Sequence, residues 1–255
     1  MVLGVRNSTI HSSYVPDPEI HYSIDFDGVD DYASFGDIGT VKMLSFWFSS
    51  DTGINNGSSV QRLMHWYDIS TSVYFGIHLG SATGVFVNET LTLMINAQTR
   101  VAAINYPFLL GQWYHVFASW HPTNNEWNLY INGSNVGVAG SGDGSAQTLA
   151  DFTDFEWGQD GTGAQRWNGK MTDVATWDTS YVSLTEQMIA TTLYNGGVPH
   201  DPRIESGNYG PAIIAQLTHY WRVNEGSNTG IFDLVGSSNG VTTSTPPWST
   251  SSPYN

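Results

Sequence analysis

The chain of 255 residues contains no cysteine. That excludes disulfides, thiolate metal centres and a cysteine nucleophile. It is also poor in charge. Asp, Glu, Lys and Arg make up 12% of it, about half the usual share. Lys and Arg number 8 against 23 Asp and Glu, a formal net charge of -15. A surface of that sign with no Lys/Arg cluster repels phosphate backbones, so direct nucleic-acid binding is not expected. The same balance suits calcium or cation-rich surroundings, and it also serves solubility alone. No apolar run approaches the length needed to span a bilayer, so no membrane partner is expected. Met1 leads into Val2-Leu3-Gly4-Val5-Arg6-Asn7-Ser8, a stretch too short and too polar for a signal peptide. The expectation is a chain made in a cytosol with no signal peptide.

What the chain has in quantity is aromatic residues and glycine. Hydrophobic residues make up 40%, with 10 Trp, 13 Tyr and 11 Phe, alongside 27 Gly that fit many turns. The most informative stretch is Gly111 to Gly133, GQWYHVFASWHPTNNEWNLYING. Neither alternating face of Trp113 to Trp120 is fully polar, which predicts a strand covered on both sides. Trp127 to Ile131 reads as its partner, and Asn132-Gly133 is the signal of a type I′ turn into a further strand. Strands are predicted at 22–27, 31–35, 42–49, 62–68, 72–79, 84–88, 91–96, 99–104, 113–120, 127–132, 135–139, 153–158 and 169–177, with loops at 49–59 and 140–147. One helix is predicted after Ser183. Ser183 and Glu186 have capping-box spacing, Leu184, Met188 and Ile189 would face the sheet, and Asn195-Gly196-Gly197 with Pro199 ends it. The fold class is therefore all-β, an antiparallel β-sandwich with one short helix.

Four segments carry a family resemblance. They are the WYHV…NLYING hairpin, Ser23-Ile24-Asp25-Phe26-Asp27-Gly28-Val29-Asp30-Asp31-Tyr32-Ala33, the strand Trp167 to Asp178, and Ser183 to Gly197. In order and spacing they resemble laminin-G-like, concanavalin A-like jelly-roll domains. The resemblance implies three parts: residues 1–20 as an extended N-terminal arm, where Pro16 and Pro18 oppose ladder pairing; 21–197 as the jelly-roll domain; and 198–255 as a C-terminal extension. Within the extension, His219 to Ser227 and Phe232 to Gly240 are similar to a family segment that normally precedes the FDGVDDY strand. Two readings stay open: the extension completes this sandwich as a circular permutation, or it docks on a neighbouring subunit. Thr245 to Asn255 is low-complexity and is expected to be disordered unless held by something.

Three chemistries follow for testing. Sandwich glucanases of this superfamily carry E-x-D-x-x-E or E-x-D-x-E on one strand. Asp151-Phe152-Thr153-Asp154-Phe155-Glu156 is the nearest stretch. Asp154 and Glu156 would share a strand face roughly 7 Å apart, but the leading Glu is missing, so no catalytic residue is assigned. For calcium, Trp157-Gly158-Gln159-Asp160-Gly161 resembles a ligand loop of pentraxins, which implies Asp160 as a ligand with Asp68 facing it. Asp173, Asp233 and Asn239 resemble a structural calcium site on the opposite face. Each of these also has a plain reading as turn chemistry. For sugars, Trp66, Tyr67, Trp157 and Trp167 are the candidate stacking residues, against the alternative that they fill the core. The leading expectation is a non-enzymatic virion structural protein on a particle surface, a decoration, tail or fibre component. Its arms would hold other virion proteins or its own subunits. A calcium-assisted carbohydrate-binding module, in contact with host-surface glycans, comes second. A glycoside hydrolase comes third.

Overall fold

Alternation decides which face each strand buries. In Gln61–Asp68, Met64 and Trp66 are buried in the core while His65 and Tyr67 point to the other face, and Phe155 and Trp157 alternate in the same way with Asp154 and Glu156. Period-two side chains of this kind make a sheet that is apolar on one side. The computed structural model describes residues 20–52, 60–68, 73–80, 90–95, 98–103, 106–121, 126–139, 154–159, 161, 163, 165–181, 183–243 and 248–254. The strand predicted at 84–88 and most of both predicted loops lie outside the described residues.

Two antiparallel sheets face each other. The first has eight strands in the order β10 (Ser134–Asn135), β9 (Glu126–Ile131), β8 (Trp113–His121), β3 (Met43–Ser50), β13 (Asn168–Trp177), β1 (Ser23–Asp27) and β17 (Trp248–Ser249), and β14 (Leu217–Trp221) also pairs with β13. The second has nine: β11 (Val138–Ala139), β7 (Gln98–Ala103), β6 (Leu91–Ile95), β5 (Val73–Leu79), β4 (Gln61–Asp68), β12 (Asp154–Trp157), β2 (Tyr32–Gly36), β16 (Gly240–Thr243) and β15 (Gly230–Ile231). The predicted turn at Asn132-Gly133 has φ of 50° and 73°, as a type I′ hairpin requires, and it sets Ser134 opposite Ile131. The last quarter of the chain supplies strands to both sheets. β14 lies beside Val174 to Trp177, β16 beside Tyr32 to Ser34, and β17 beside Ser23 and Ile24.

The two sheets differ in what covers them. Between them lies the main core, with Phe26, Phe35, Phe46, Phe48, Trp66, Trp120, Trp157, Trp167 and Trp221 among its members. The far side of the eight-stranded sheet is covered as well. There Met43, Phe117, Tyr130 and Trp177 meet Ile189, Ala190 and Leu193 of α1 (Ser183–Tyr194) and Ile213 of α2 (Pro211–Ile214). β3 and the body of β8 are accordingly buried on both faces. Residues 186, 189, 190 and 193 form the inward stripe of α1 at helical spacing. Leu184, predicted to face the sheet, lies off that stripe and is 84% exposed. Glu186 directs its carboxylate to His121 at 2.8 Å and Asn128 at 3.0 Å, pinning the helix to β8 and β9. The side chain of Ser183 lies outside the described residues. No described helix is long and apolar enough to cross a membrane. The outer face of the nine-stranded sheet has no helix over it among the described elements, and the candidate site is there.

Candidate functional site

On that open face three neighbouring strands build a grid. Register places Asp154 of β12 opposite Tyr67 of β4, and Tyr67 opposite Tyr74 of β5; one row on, Glu156 lies opposite His65, and His65 opposite Gly76. These side chains, with Arg62 and Gly161, line a pocket of about 550 Å³. That is a size suited to a small ligand. Tyr67, Tyr74 and Glu156 are half-buried, Asp154 is exposed, and Arg62 and His65 are nearly buried. Arg62 donates from Nη2 to Gln165 Oε1 at 2.8 Å, and its Cζ stands 5.7 Å from the Tyr74 ring centroid. Gln159 Nε2 donates to Glu156 Oε2 at 3.3 Å. Gly76 is what lets Arg62 lie across β5: a Cβ there would come within 3.2 Å of Arg62 Nη1 and 2.6 Å of His78 Nε2. The pocket thus offers two aromatic rings, two carboxylates, an imidazole and a fixed guanidinium around an open space.

Of the four predicted stacking residues, Tyr67 alone lines this pocket. Trp66, Trp157 and Trp167 are fully buried, and their assignment to sugar contact is corrected. Trp66 stacks on Phe155 at 4.6 Å, Trp157 lies 4.2 Å from Phe35, and Trp167 lies 5.6 Å from Phe26. For Trp66 and Trp157 the reason is strand parity, each being one residue removed from an outward position; Trp167 enters the core just ahead of β13, and between stacked sheets a large ring buries the most apolar area. Arg62, His65 and Tyr74 were missed. Their signal was the outward alternation of His65 and Tyr67 beside that of Asp154 and Glu156, but it is visible only once β4, β5 and β12 are known to be neighbours.

The predicted calcium residues Asp173, Asp233 and Asn239 are each engaged in hydrogen bonds within the protein. Asp173, with φ of 50°, sits at a bulge in β13. Its Oδ1 accepts from Tyr220 Oη at 2.6 Å and Tyr254 Oη at 2.7 Å, and Thr172 Oγ1 lies 3.2 Å from Oδ2. Burial pushes its carboxyl up to about 6, against the opposing pull of the two phenols and Arg222. Asp233 accepts from the backbone N–H of Tyr220, Val235 and Gly236 at Oδ1, and from Ser238 N–H and His219 Nδ1 at Oδ2. Burial alone would raise Asp233, but these donors hold it below the usual carboxylate range. Asn239 Oδ1 accepts the N–H of Asp233. Oxygens that accept this many N–H and O–H donors are taken up by structural pairing and offer little to a calcium shell. Asp160 and the side chain of Asp68 lie outside the described residues. Among the described residues Asp27, Asp30 and Asp31 bring carboxylates together. There Asp27 Oδ1 accepts the N–H of Val29 and Asp30, and Asp31 Oδ2 accepts the N–H of Asp27, which is turn chemistry.

A laminin G family model, described as concanavalin A-like lectin/glucanases superfamily, matches residues 27–190. The chain belongs to that superfamily. No curated protein matches the sequence significantly. Solved structures agree with the superfamily fold. A Bacteroides ovatus protein described as a candidate carbohydrate-binding protein is 18% identical with a TM-score of 0.58, over 89% of this chain and 59% of that one. The chain thus spans about three-fifths of that relative's length. A heptameric SAP-like pentraxin from Limulus polyphemus is 16% identical with a TM-score of 0.52, over 70% of this chain and 83% of that one. At these identities the likeness is one of fold. The superfamily holds both lectins and glucanases, so the chemistry has to be argued from the pocket.

Proposed function

We propose that this is a non-enzymatic glycan-binding protein whose site is the pocket on the open face of the nine-stranded sheet. The observation that carries the proposal is the open space of about 550 Å³ lined by Tyr67, Tyr74, Asp154, Glu156, His65 and Arg62. Tyrosine rings take the apolar face of a sugar, and carboxylates and a guanidinium take its hydroxyls. The lectin-like fold, and the description of the Bacteroides ovatus relative, support the reading. Against hydrolysis stands the broken motif: position 152 is Phe where a glucanase carries its leading Glu. Calcium assistance through the loop at Asp160 belongs to the proposal. So does the narrower setting of a virion surface, with terminal arms on other virion proteins or further copies and the pocket toward host glycans. Its support is compositional: no cysteine, few cations and the low-complexity stretch Thr245 to Asn255.

The test is a glycan array probed with the full chain, with and without calcium, beside Tyr67→Ala and Tyr74→Ala. The expected outcome is a defined set of bound glycans, at least tenfold weakened by either substitution, and no release of reducing ends. An array without signal sinks the glycan reading. Reducing-end release lost in Glu156→Gln sinks the non-enzymatic one.

A further inference from the structure

Resting on that reading of the pocket, we infer that its ligand is a sugar carrying a free, protonated amine, in preference to a neutral or an acidic one. The pocket wall brings two carboxylates, Asp154 and Glu156, and one fixed cation, Arg62. The cation is engaged within the protein, on Gln165 and over the Tyr74 ring. Asp154 is exposed and accepts no hydrogen bond from the described residues. The capacity turned toward the cavity is therefore that of an acceptor with negative charge.

Two carboxylates two positions apart on one strand face stand roughly 7 Å apart. That spacing is set at the backbone; carboxylate tips that lean toward each other can share one ammonium group through charge-assisted hydrogen bonds, which leaves its third N–H for a neighbour. Tyr67 and Tyr74 add electron-rich ring faces, which attract cations. The Tyr74 ring, 5.7 Å from the Arg62 guanidinium, already has a cation near its face. At longer range the net charge of -15 draws cationic chains in and holds polyuronates off. A neutral sugar would make the hydroxyl contacts without the charge. An acidic sugar would set its carboxylate against Asp154 and Glu156.

The experiment is calorimetric titration of the full chain with three probes: oligomers of β-1,4-linked glucosamine, the same oligomers fully N-acetylated, and an oligouronate. Asp154→Asn and Glu156→Gln are titrated alongside. The expected result is binding of the amine oligomer at least tenfold tighter than of its acetylated form, and none of the oligouronate. Each substitution should lower amine affinity by tenfold or more while the melting temperature stays near wild type. Diffuse attraction to a -15 surface predicts instead that losing one charge changes little, and that result overturns the inference. Equal or tighter binding of the acetylated or the acidic oligomer also overturns it, but leaves the glycan reading standing. Failure to bind any of the three, together with a silent array, takes both down.

Discussion

Two regions of this protein are made of the same parts and use them in opposite ways. The pocket holds Asp154, Glu156, Tyr67, Tyr74, Arg62 and His65. The hub beneath the C-terminal segment holds Asp173, Asp233, Tyr220, Tyr254, Arg222 and His219. In the hub both tyrosines donate to Asp173, Arg222 lies over Tyr254, and His219 pairs with Asp233 at 2.6 Å. His21 stacks on Tyr254 at 3.8 Å and Ser23 donates to the carbonyl of Ser251. These groups hold the last residues of the chain against β1, β13 and β14. In the pocket the equivalent groups surround open space. The difference lies in the sheet face: the hub is enclosed by chain, and no described helix lies over the face bearing Tyr67 and Glu156. Residue type therefore does not mark a binding site; what marks it is an open space that the groups line, whatever contacts they also make with their neighbours.

The hub should answer to substitution through stability and the pocket through binding. Asp233→Ala is the largest expected effect: it leaves four backbone N–H groups and His219 without their acceptor, and the loss should be about 3–5 kcal/mol in urea unfolding. Next come two opposed pH dependences. Asp173 keeps its proton to about pH 6 in the folded chain, against an ordinary value of 3.8. Its contribution, on the order of 3 kcal/mol, is thus complete below about pH 4 and lost as pH rises to about 6. His115, fully buried against Ser45, is depressed by burial from 6.5 to about 3, so its contribution is lost as pH falls below about 6.5. The two act against each other between about pH 4 and 6. Asp173→Asn should make the melting temperature climb over that window, and His115→Gln should make it fall. Parallel slopes in the two variants would refute the assignment.

Smaller effects belong to the pocket. Gly76→Ala puts a methyl group against the tips of His78 and Arg62. Both are buried and must give way, so stability should fall by about 1–2 kcal/mol while glycan binding weakens through the displaced guanidinium. Asp154→Asn should leave stability within about 0.5 kcal/mol of wild type, since that carboxylate is exposed. A large loss of stability there would erase the contrast with Asp233.

The superfamily and most strands were legible because their signals are local: period-two aromatics, the Asn132-Gly133 turn and the FDGVDDY segment. The inward stripe of α1 was half legible. Met188 and Ile189 pack as expected, while Leu184 gave way to Glu186, because the half-buried His121 and Asn128 waiting on β8 and β9 are invisible from the helix itself. The strands β16 and β17 could not be placed, since pairing between residues more than 200 positions apart leaves no local mark. The tryptophans misled for a physical reason. A ring on an aromatic-rich strand fits a sugar and a core equally well, and parity relative to the partner sheet decides which. The pocket escaped for the same cause. Its six side chains come from three strands that only the register brings together.

The most direct test of the central claim is a backbone amide NMR titration of the full chain with the tightest glycan from the array. Perturbations should cluster at Arg62, His65, Tyr67, Tyr74, Asp154 and Glu156, with Asp173, Tyr220 and Tyr254 unmoved. Shifts gathered at the hub, or across the helix-covered side of the eight-stranded sheet, would contradict the account.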